Sequence, residues 1–268
     1  MSYNINMGTI TIDDTTYDVE THGTDLGQRM TISLDGEDVF DGLEGRCENE
    51  EYIEEFHNPR DWSNVGTMSV SYNRYNLGDE DISQINFDVT CTECEGCGMT
   101  GAVEDEITCD KCEGTGEISL HPVEYFKRER GARVVLPLSV YEHSGITMFV
   151  GHEDYTFDPG GWDTSYVGFI FDTPEGIKDC MGDDASDEQI KEALIGEVKV
   201  YASYLEGDVS YYSVTDDETD YHESCGGYVG DHKQCEDECY SALESAIVKR
   251  LAEVKERAEW AARDTITI

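Results

Sequence analysis

Cysteines whose spacing suits metal coordination are concentrated in the middle of the chain. The 268-residue sequence contains ten cysteines, and five of them lie within residues 90–118. Two Cys-x-x-Cys pairs can be drawn there: Cys94 with Cys97, and Cys109 with Cys112. Four thiolates are the ligand set of a closed tetrahedral Zn²⁺ site, and a reducing cytoplasm favours metal binding over disulfides. We therefore predict a structural zinc site at these four residues, with Cys91 as a spare thiol that could compete with Cys94.

Glycines follow each cysteine pair at short spacing. Residues 109–116 have the pattern CxxCxGxG, and residues 94–101 have the same pattern except that Met99 stands where the first glycine is expected. Glycine suits these positions because the backbone must turn its N–H groups toward sulfur, often at positive φ. The pattern resembles the cysteine-rich zinc repeats of the DnaJ (Hsp40) chaperone family. Only two of that family's four repeats are present and no segment resembles a J-domain, so the resemblance implies a zinc knuckle without a co-chaperone role.

A second group of cysteines and histidines occurs farther along the chain. It comprises His222-x-x-Cys225, followed by His232-x-x-Cys235-x-x-x-Cys239. Cys235 and Cys239 would share one face of a helix, and His232 and Cys225 could complete a set of four ligands for a second metal. In the alternative, Cys225 is a small packed residue and the group holds no metal. The spacing leaves both interpretations open.

The chain carries a large excess of acidic side chains. Sixty Asp and Glu residues stand against 18 Lys and Arg residues, which gives a formal net charge of −42. The acids are spread evenly along the chain, which is typical of proteins from hosts with molar salt in the cytoplasm. At about 1 M salt the Debye length is only ~3 Å, so the self-repulsion is screened. A nucleic-acid mimic would concentrate its acids along one track, and we keep that class as the alternative.

Strand-like patterns dominate the first two thirds of the chain and helical patterns the last third. Strands are predicted at residues 6–12, 29–34, 65–72, 84–90, 133–140, 166–171 and 209–214. A capping box at Ser186–Gln189 precedes an apolar helical stripe made of Ile190, Leu194, Val198, Tyr201 and Leu205. A second amphipathic helix is predicted over residues 239–263, with its stripe at Leu243, Ile247, Leu251, Val254 and Ala258.

These patterns predict an α+β fold with a mostly antiparallel sheet, an inserted zinc knuckle and a helical C-terminal third. The expected parts are a β-rich segment at residues 1–90, the knuckle at 91–117, and an α+β segment at 118–268 that completes the sheet. No apolar stretch reaches the length of a membrane span, and the N-terminus lacks a signal-peptide pattern. We therefore expect a cytoplasmic protein without a membrane partner.

Several longer blocks of sequence carry a second resemblance. They are NPRDWSNVGTM at 58–68, RYNLGD at 74–79, LPLSVYEHSGITM at 136–148, GGWD at 160–163 with VGFI at 167–170, and SCGGYVG at 224–230. In this order they resemble an uncharacterised family carried by phages and plasmids. The zinc insertion departs from that family, as does the Asp-Thr-Ser-Tyr run at 163–166 where Asp-Ser-Gly-Gln is expected. The resemblance implies a shared fold and an accessory gene of a mobile element, and it implies no reaction.

Four polar residues within these blocks stand at strand edges, where loops commonly present functional groups. They are Arg60, Asp61, His143 and Asp163. A histidine with two carboxylates and an arginine could perform acid–base chemistry or hold a divalent ion. In the alternative, the carboxylates cap turns and His143 makes a backbone contact. Because no nucleophile or phosphate-binding motif accompanies the four residues, we favour this structural role.

The expected function is that of a zinc-stabilised accessory interaction protein of a virus or mobile element in a halophilic host. A protein partner is expected, whereas nucleic-acid binding is possible but not indicated by any motif. The first alternative is an acidic DNA mimic that inhibits a host defence enzyme. The second is a metal-dependent or hydrolytic enzyme centred on His143, Asp61 and Asp163. The sequence leaves the partner and the oligomeric state open.

Overall fold

Mostly antiparallel strands and four helices are the main elements of the described part of the chain. The computed structural model describes residues 8–12, 14–23, 27–34, 37–38, 42–50, 58–101, 107–151, 158 and 160–265. Its strands are β1 (Gly8–Ile12), β2 (Thr15–Gly23), β3 (Gly27–Leu34), β4 (Glu37–Asp38), β5 (Leu43–Asn49), β6 (Gly66–Val70), β7 (Glu80–Asp81), β8 (Asp88–Thr90), β9 (Met99–Thr100), β10 (Ile107–Thr108), β11 (Glu117–Ser119), β12 (Val135–Glu142), β13 (Ile146–Val150), β14 (Thr164–Asp172), β15 (Val209–Asp216) and β16 (Tyr221–Val229). The helices are α1 (Pro122–Glu129), α2 (Pro174–Cys180), α3 (Asp187–Glu206) and α4 (His232–Thr265), with 3-10 turns at Pro59–Asp61 and Ile82–Gln84. The predicted α+β class is confirmed.

Most strands that the sequence predicts are present in the structure. Those at 29–34, 65–72, 133–140, 166–171 and 209–214 correspond to β3, β6, β12, β14 and β15. In the segment 84–90 only β8 is a paired strand, because the 3-10 turn capped by Asp81 occupies the start of the segment. Residues 6 and 7 of the strand predicted at 6–12 lie outside the described residues, and the rest is β1. No helix of the described part is both long and apolar enough to cross a membrane.

The chain divides into two compact units. One contains Met1–Asn58 together with Glu206–Ile268, and the other is the continuous segment Pro59–Leu205. Strand pairing explains this division, because β5 pairs antiparallel with β15 over seven residue pairs, from Asn49↔Ser210 to Leu43↔Asp216. The parts expected from chain order, 1–90, 91–117 and 118–268, divide the chain differently. A pairing between segments so far apart leaves no local pattern in the sequence.

The discontinuous unit is a sheet covered by helix α4. Its strand order is β1-β2-β3-β5-β15-β16, with β4 paired to β3. Leu243 and Ile247 of α4 are fully buried in the same hydrophobic core as Val19 and Met30 of the sheet. Gly45 of β5 permits this close approach, since a Cβ atom there would stand 2.9 Å from Leu243 Cδ1. The helix therefore packs directly on the backbone of a central strand.

Helix α4 begins earlier than the predicted segment 239–263. It starts at His232, which brings Cys235 and Cys239 into the buried core of the discontinuous unit. The predicted apolar stripe is buried only along its first half: Leu251 is partly buried, Val254 is exposed, and the side chain of Ala258 lies outside the described residues. The second half of α4 therefore leaves part of its apolar surface uncovered within the described part of the chain.

The continuous unit is built on a sheet of order β13-β12-β14-β6-β7, in which only the β6–β7 pair is parallel. Helix α3 packs on this sheet through Ile190, Leu194, Val198 and Tyr201, as its predicted stripe requires. The capping box is formed: the Gln189 side chain accepts the N–H of Ser186 at 2.9 Å, and Ser186 Oγ accepts the N–H of Gln189 at 3.3 Å. The sequence pattern therefore located both the start and the buried face of α3.

Candidate metal centre

Four cysteine thiols converge between β8 and β11. The Sγ atoms of Cys91, Cys94, Cys109 and Cys112 all lie within 4.8 Å of one another, and all four side chains are buried. Among the described residues, Ile118, which is partly buried, is the only apolar side chain packed against them. The interior formed by these residues consists almost entirely of sulfur, so they offer very little apolar surface to hold the segment together. The cluster could hold a metal ion.

The four clustered cysteines differ from the four predicted zinc ligands at one position. Cys97, which we expected as a ligand, is exposed, and its thiol donates to the carbonyl of Met99 at 3.1 Å. Cys91, which we expected to compete with Cys94, takes the fourth place beside it. Cys94 belongs to two overlapping Cys-x-x-Cys pairs, and the spacing of the cysteines alone does not distinguish them. The first pair of the cluster is therefore Cys91 with Cys94.

The glycines explain why this pair is used. Counted from Cys91, residues 91–98 have the full pattern CxxCxGxG without an exception, and residues 109–116 repeat it 18 residues later. Backbone φ is +86° at both Gly96 and Gly114, and it is +75° at Gly98 and +79° at Gly116. These left-handed turns are open to glycine at little strain. In the predicted alignment Met99 occupied one glycine position, whereas in the structure it is an ordinary strand residue of β9.

The turns direct backbone N–H groups at sulfur. Gly98 donates its N–H to Cys94 Sγ at 3.2 Å, and Gly116 donates to Cys112 Sγ at 3.3 Å. Burial raises the pKa of the Cys94 thiol to about 12. Burial also acts on Cys112, but the Gly116 N–H and neighbouring thiols outweigh it and lower the pKa of Cys112 to about 7. The cluster therefore mixes protonated and ionisable thiols, and a bound cation would favour the ionised form of all four.

The two repeats are related by an approximate two-fold arrangement. Strand β8 before the first repeat pairs with β11 after the second, and β9 after the first pairs with β10 before the second. The N–H of Cys91 donates to the carbonyl of Gly116 at 2.9 Å, and the N–H of Cys109 donates to that of Gly98 at 3.0 Å. A Cβ atom on Gly98 would stand 2.3 Å from the carbonyl oxygen of Gly114. The close approach of the two turns thus requires glycine. We call residues 91–116 the knuckle.

The second predicted metal set is not assembled. Cys225 is exposed on β16, whereas Cys239 is buried and contacts the carbonyl of Arg46 at 3.6 Å. His232 Nδ1 lies 2.9 Å from Ser210 Oγ, and Cys235 Sγ lies 2.8 Å from the sulfur of Cys47. Among the described residues, the knuckle alone brings three or more metal-binding side chains within 4.8 Å of one another. Sequence reasoning missed Cys47 because nothing local links it to a segment 188 residues away.

Arg60 belongs to a buried ion-pair network rather than to an open polar site. Its guanidinium donates to Asp79 Oδ2 at 2.6 Å, to Glu197 Oε2 at 3.0 Å and to the carbonyl of Gly66 at 2.7 Å. Glu197 also accepts the N–H of Val65 at 2.6 Å. Burial raises the pKa of Glu197, and Arg60 opposes that rise. These contacts attach α3 and the turn that follows β6 to the start of β6.

His143 and Asp163 meet at the other end of the same sheet. His143 Nδ1 lies 3.1 Å from Asp163 Oδ2, and the His143 side chain is exposed whereas Asp163 is half-buried. Asp163 precedes β14, whereas Arg60 contacts Gly66, which pairs with Asp172 at the end of β14. At ~3.3 Å per residue along the strand, Asp163 and Asp172 are about 30 Å apart. Arg60 and Asp163 therefore do not share a pocket, and the four polar residues do not form one catalytic site.

A polar cleft of about 440 Å³ adjoins Asp163. Arg74, Glu142 and Trp162 contribute to its lining. Trp162 is 90% exposed, so it is not part of the hydrophobic core, where a tryptophan with a purely structural role would lie. Asp158, which sequence analysis did not single out, caps this turn by accepting the N–H groups of Trp162 at 3.1 Å and Asp163 at 2.9 Å. Asp61 is exposed in the 3-10 turn that also contains Arg60, so it lies far from the cleft, toward the opposite end of the sheet.

The knuckle is thus the site whose chemistry its residues define most closely. Four sulfur donors enclose one position and leave no vacant place for a substrate or a water molecule, which suits a structural ion better than a catalytic one. The assignment rests on these side chains themselves. In comparisons with known proteins, no family model, no curated protein and no solved structure matches this chain.

Proposed function

We propose that this chain is a zinc-binding interaction protein whose knuckle is a rigid recognition element. The observation that carries the proposal is the convergence of four buried thiols in a segment whose described residues form almost no apolar core. Tetrahedral sets of four thiolates are typical of structural Zn²⁺ and of iron–sulfur proteins, and Zn²⁺ needs no redox partner or cluster assembly. Zinc would hold the two turns together and would supply most of the folding free energy of the knuckle.

The end of the knuckle offers a surface for a partner. Strands β9 and β10 carry two exposed apolar side chains there: Met99 is 45% exposed and Ile107 is 58% exposed. Exposed carboxylates of the same segment, such as Glu95 and Glu113, stand on its turns. An apolar centre with a charged surround is the usual composition of a small protein interface. The partner proposed is therefore a protein with basic residues around an apolar pocket.

The charge of the whole chain bears on the setting of the protein rather than on its partner. A formal net charge of −42 would favour a basic surface over nucleic acid at low salt, but molar salt screens such long-range attraction. The even spread of acids and the blocks that resemble a phage- and plasmid-borne family together support an accessory protein of a virus or mobile element. Its proposed location is the cytoplasm of a halophilic host, where molar salt screens the self-repulsion.

The metal is tested by elemental analysis of protein purified without chelator. We expect one equivalent of zinc per chain and no visible absorption of the kind that iron–sulfur clusters give. Less than about half an equivalent of any metal would contradict the proposed zinc site. An equivalent of iron in its place would keep the four-thiol site and change its metal.

The recognition surface is tested by a double variant, Met99→Ser with Ile107→Ser, and by the matched control Val254→Ser, which changes an exposed valine of α4. A partner captured from host lysate in molar KCl would be purified and titrated against each variant. We expect at least a tenfold loss of affinity for the double variant, with its zinc content unchanged, and no loss for the control. Equal binding by all three chains would refute recognition through the knuckle.

A further inference from the structure

Two buried cysteines meet between the sheet and helix α4 of the discontinuous unit. Cys47 lies in β5 and Cys235 in the first turn of α4, and both side chains are fully buried. Their sulfur atoms are 2.8 Å apart and share one hydrogen bond. A disulfide needs its sulfurs at about 2.05 Å with suitably placed backbones, so only a small movement separates this dithiol from a covalent bond. Neither cysteine belongs to the knuckle.

The surroundings favour ionisation of one member of the pair. The hydrogen bond with Cys235 outweighs burial and, together with His232, lowers the pKa of Cys47 to about 6. His232 Nδ1 lies 3.9 Å from Cys47 Sγ and 2.9 Å from Ser210 Oγ. The pKa of Cys235 is raised, chiefly by the same hydrogen bond, so this thiol keeps its proton. Glu236 faces the group as well and opposes the ionisation of Cys47.

We propose that Cys47 and Cys235 are a peroxide-reactive pair that closes into a reversible disulfide between β5 and α4. A thiolate beside a protonated thiol and a histidine is the arrangement of a nucleophilic cysteine with its resolving partner. The oxidant is a small hydroperoxide, with hydrogen peroxide as the representative. The side chain of His232 is 35% exposed and its Nδ1 lies 3.9 Å from Cys47 Sγ, so one side chain separates the buried pair from solvent. Hydrogen peroxide is close to water in size and is therefore the hydroperoxide best suited to reach a buried thiol.

The chemistry proceeds in two balanced steps. The Cys47 thiolate attacks one peroxide oxygen and the O–O bond breaks, which leaves a sulfenic acid on Cys47. The departing hydroxide becomes water by taking the proton that Cys47 released on ionisation, carried by His232 or by solvent. The Cys235 sulfur then attacks the Cys47 sulfur, the S–O bond breaks, and the Cys235 proton leaves with the hydroxide as a second water. The two thiols lose two electrons in total, and one hydrogen peroxide is reduced to two waters. Two equivalents of a small thiol would reduce the disulfide by exchange, through a mixed disulfide, and would leave as their own disulfide.

The disulfide would fasten α4 to the sheet. It would close a loop of 188 residues, and long loops give the largest entropic restriction of the unfolded chain. The N-terminal turn of α4 would then be unable to leave β5 without reduction. We expect the melting temperature of the oxidised chain to rise by about 5 °C or more relative to the reduced chain.

The direct test maps the disulfide in the wild-type, zinc-loaded chain. The reduced protein would be titrated with hydrogen peroxide, free thiols would be alkylated, and peptides would be identified by mass spectrometry. We expect a peptide that links Cys47 to Cys235 to form at lower peroxide than any adduct of the exposed thiols Cys180 and Cys225, and to disappear with dithiothreitol. Recovery of Cys47 and Cys235 as alkylated thiols after Cys180 and Cys225 have been oxidised would overturn the proposal.

Variants distinguish this reaction from other roles of the pair. Cys235→Ser is expected to stop at sulfenic acid on Cys47, which a dimedone probe would trap, and to lose the rise in melting temperature. Cys225→Ser, a change at an exposed cysteine, should oxidise like the wild type. His232→Asn should slow disulfide formation severalfold without changing its final extent. A second equivalent of zinc that is lost in Cys47→Ser would overturn the proposal in favour of a metal site.

Discussion

Two single substitutions in the knuckle discriminate between the two ways of pairing its cysteines. We expect Cys91→Ser to weaken zinc binding strongly and Cys97→Ser to leave it unchanged. The thiol of Cys91 is buried within 4.8 Å of the other three ligand sulfurs, whereas Cys97 is exposed and bonds to the backbone of Met99. The variants are well matched because each removes one sulfur from the same loop and introduces the same hydroxyl.

The size of the effect follows from the four-fold ligand set. Structural zinc contributes about 10–16 kcal/mol at pH 7, so four thiolates in near-equivalent repeats contribute about 3 kcal/mol each. A loss of ~3 kcal/mol corresponds to an affinity about 100-fold lower, since 1.4 kcal/mol is a factor of ten. Cys97 contributes to none of the sulfur contacts of the cluster, so its replacement should change the affinity by less than about twofold.

The assay is competition for Zn²⁺ against a chromophoric chelator at fixed pH and salt, with circular dichroism to follow the sheets. The signal of the sheets should persist in both variants, because the knuckle is an insertion between β8 and β11 and contributes little to either main core. An equal loss of affinity in Cys97→Ser and Cys91→Ser would refute the assignment. Wild-type affinity in Cys91→Ser, with loss confined to Cys97→Ser, would restore the set expected from the sequence.

Three further predictions concern the turns, the buried ion pairs and the charge. Gly98→Ala and Gly116→Ala should each abolish zinc binding in the same chelator assay. The added Cβ would stand 2.3 Å from the carbonyl oxygen of Gly114 in the first variant and 2.2 Å from that of Gly96 in the second. The control Gly145→Ala should bind zinc like the wild type, because nothing lies within 4 Å of its added Cβ. Arg60→Ala should lower the free energy of unfolding by about 3–5 kcal/mol in a denaturant titration, because the substitution leaves Glu197 buried without its arginine partner. Asp61 is the exposed neighbour of Arg60, and Asp61→Ala should change the free energy of unfolding by less than about 0.5 kcal/mol. Comparable losses in the two variants would contradict the structural role of Arg60. The melting temperature should rise between ~0.1 M and ~2 M KCl if the acids are a halophilic surface, and a flat profile would favour the nucleic-acid mimic.

Helix α3 shows what local sequence can predict. Its capping box and its four-residue apolar spacing are both contained within one segment, and each leaves a pattern that the structure reproduces at Ser186, Gln189 and Leu194. The four-cysteine cluster is local in the same way, because its cysteine pairs and glycine turns are close in sequence. Local patterns therefore located the elements and the general site.

The pairing of the cysteines shows where spacing alone fails. Cys91, Cys94 and Cys97 are three residues apart in turn, so two pairs are equally spaced, and only the glycines distinguish them. The deciding signal was present: the Gly-x-Gly of residues 96–98 recurs at 114–116, at the same interval that separates Cys91 from Cys109. Comparing the two repeats as complete units would have selected Cys91.

Long-range relations could not be predicted in this way. The contact of Cys47 with Cys235 and the separation of Arg60 from Asp163 both depend on which strands pair, and strand pairing over more than a hundred residues has no periodic pattern in the sequence. The candidate catalytic group was assembled from residues that each had plausible chemistry. The sheet places its members at opposite ends of β14.

The discontinuous unit also has a consequence for synthesis of the chain on the ribosome. Strand β5 ends at Asn49, but its neighbour β15 begins only at Val209, about 160 residues later. At roughly 5–20 residues per second, β5 waits about 8–30 s for the strand that covers its edge. The continuous unit emerges in full during that interval and can fold first. An unpaired edge of this duration invites association with other chains, and the charged residues that β5 carries, Glu44, Arg46 and Glu48, are of the kind that discourages edge-to-edge pairing until β15 arrives.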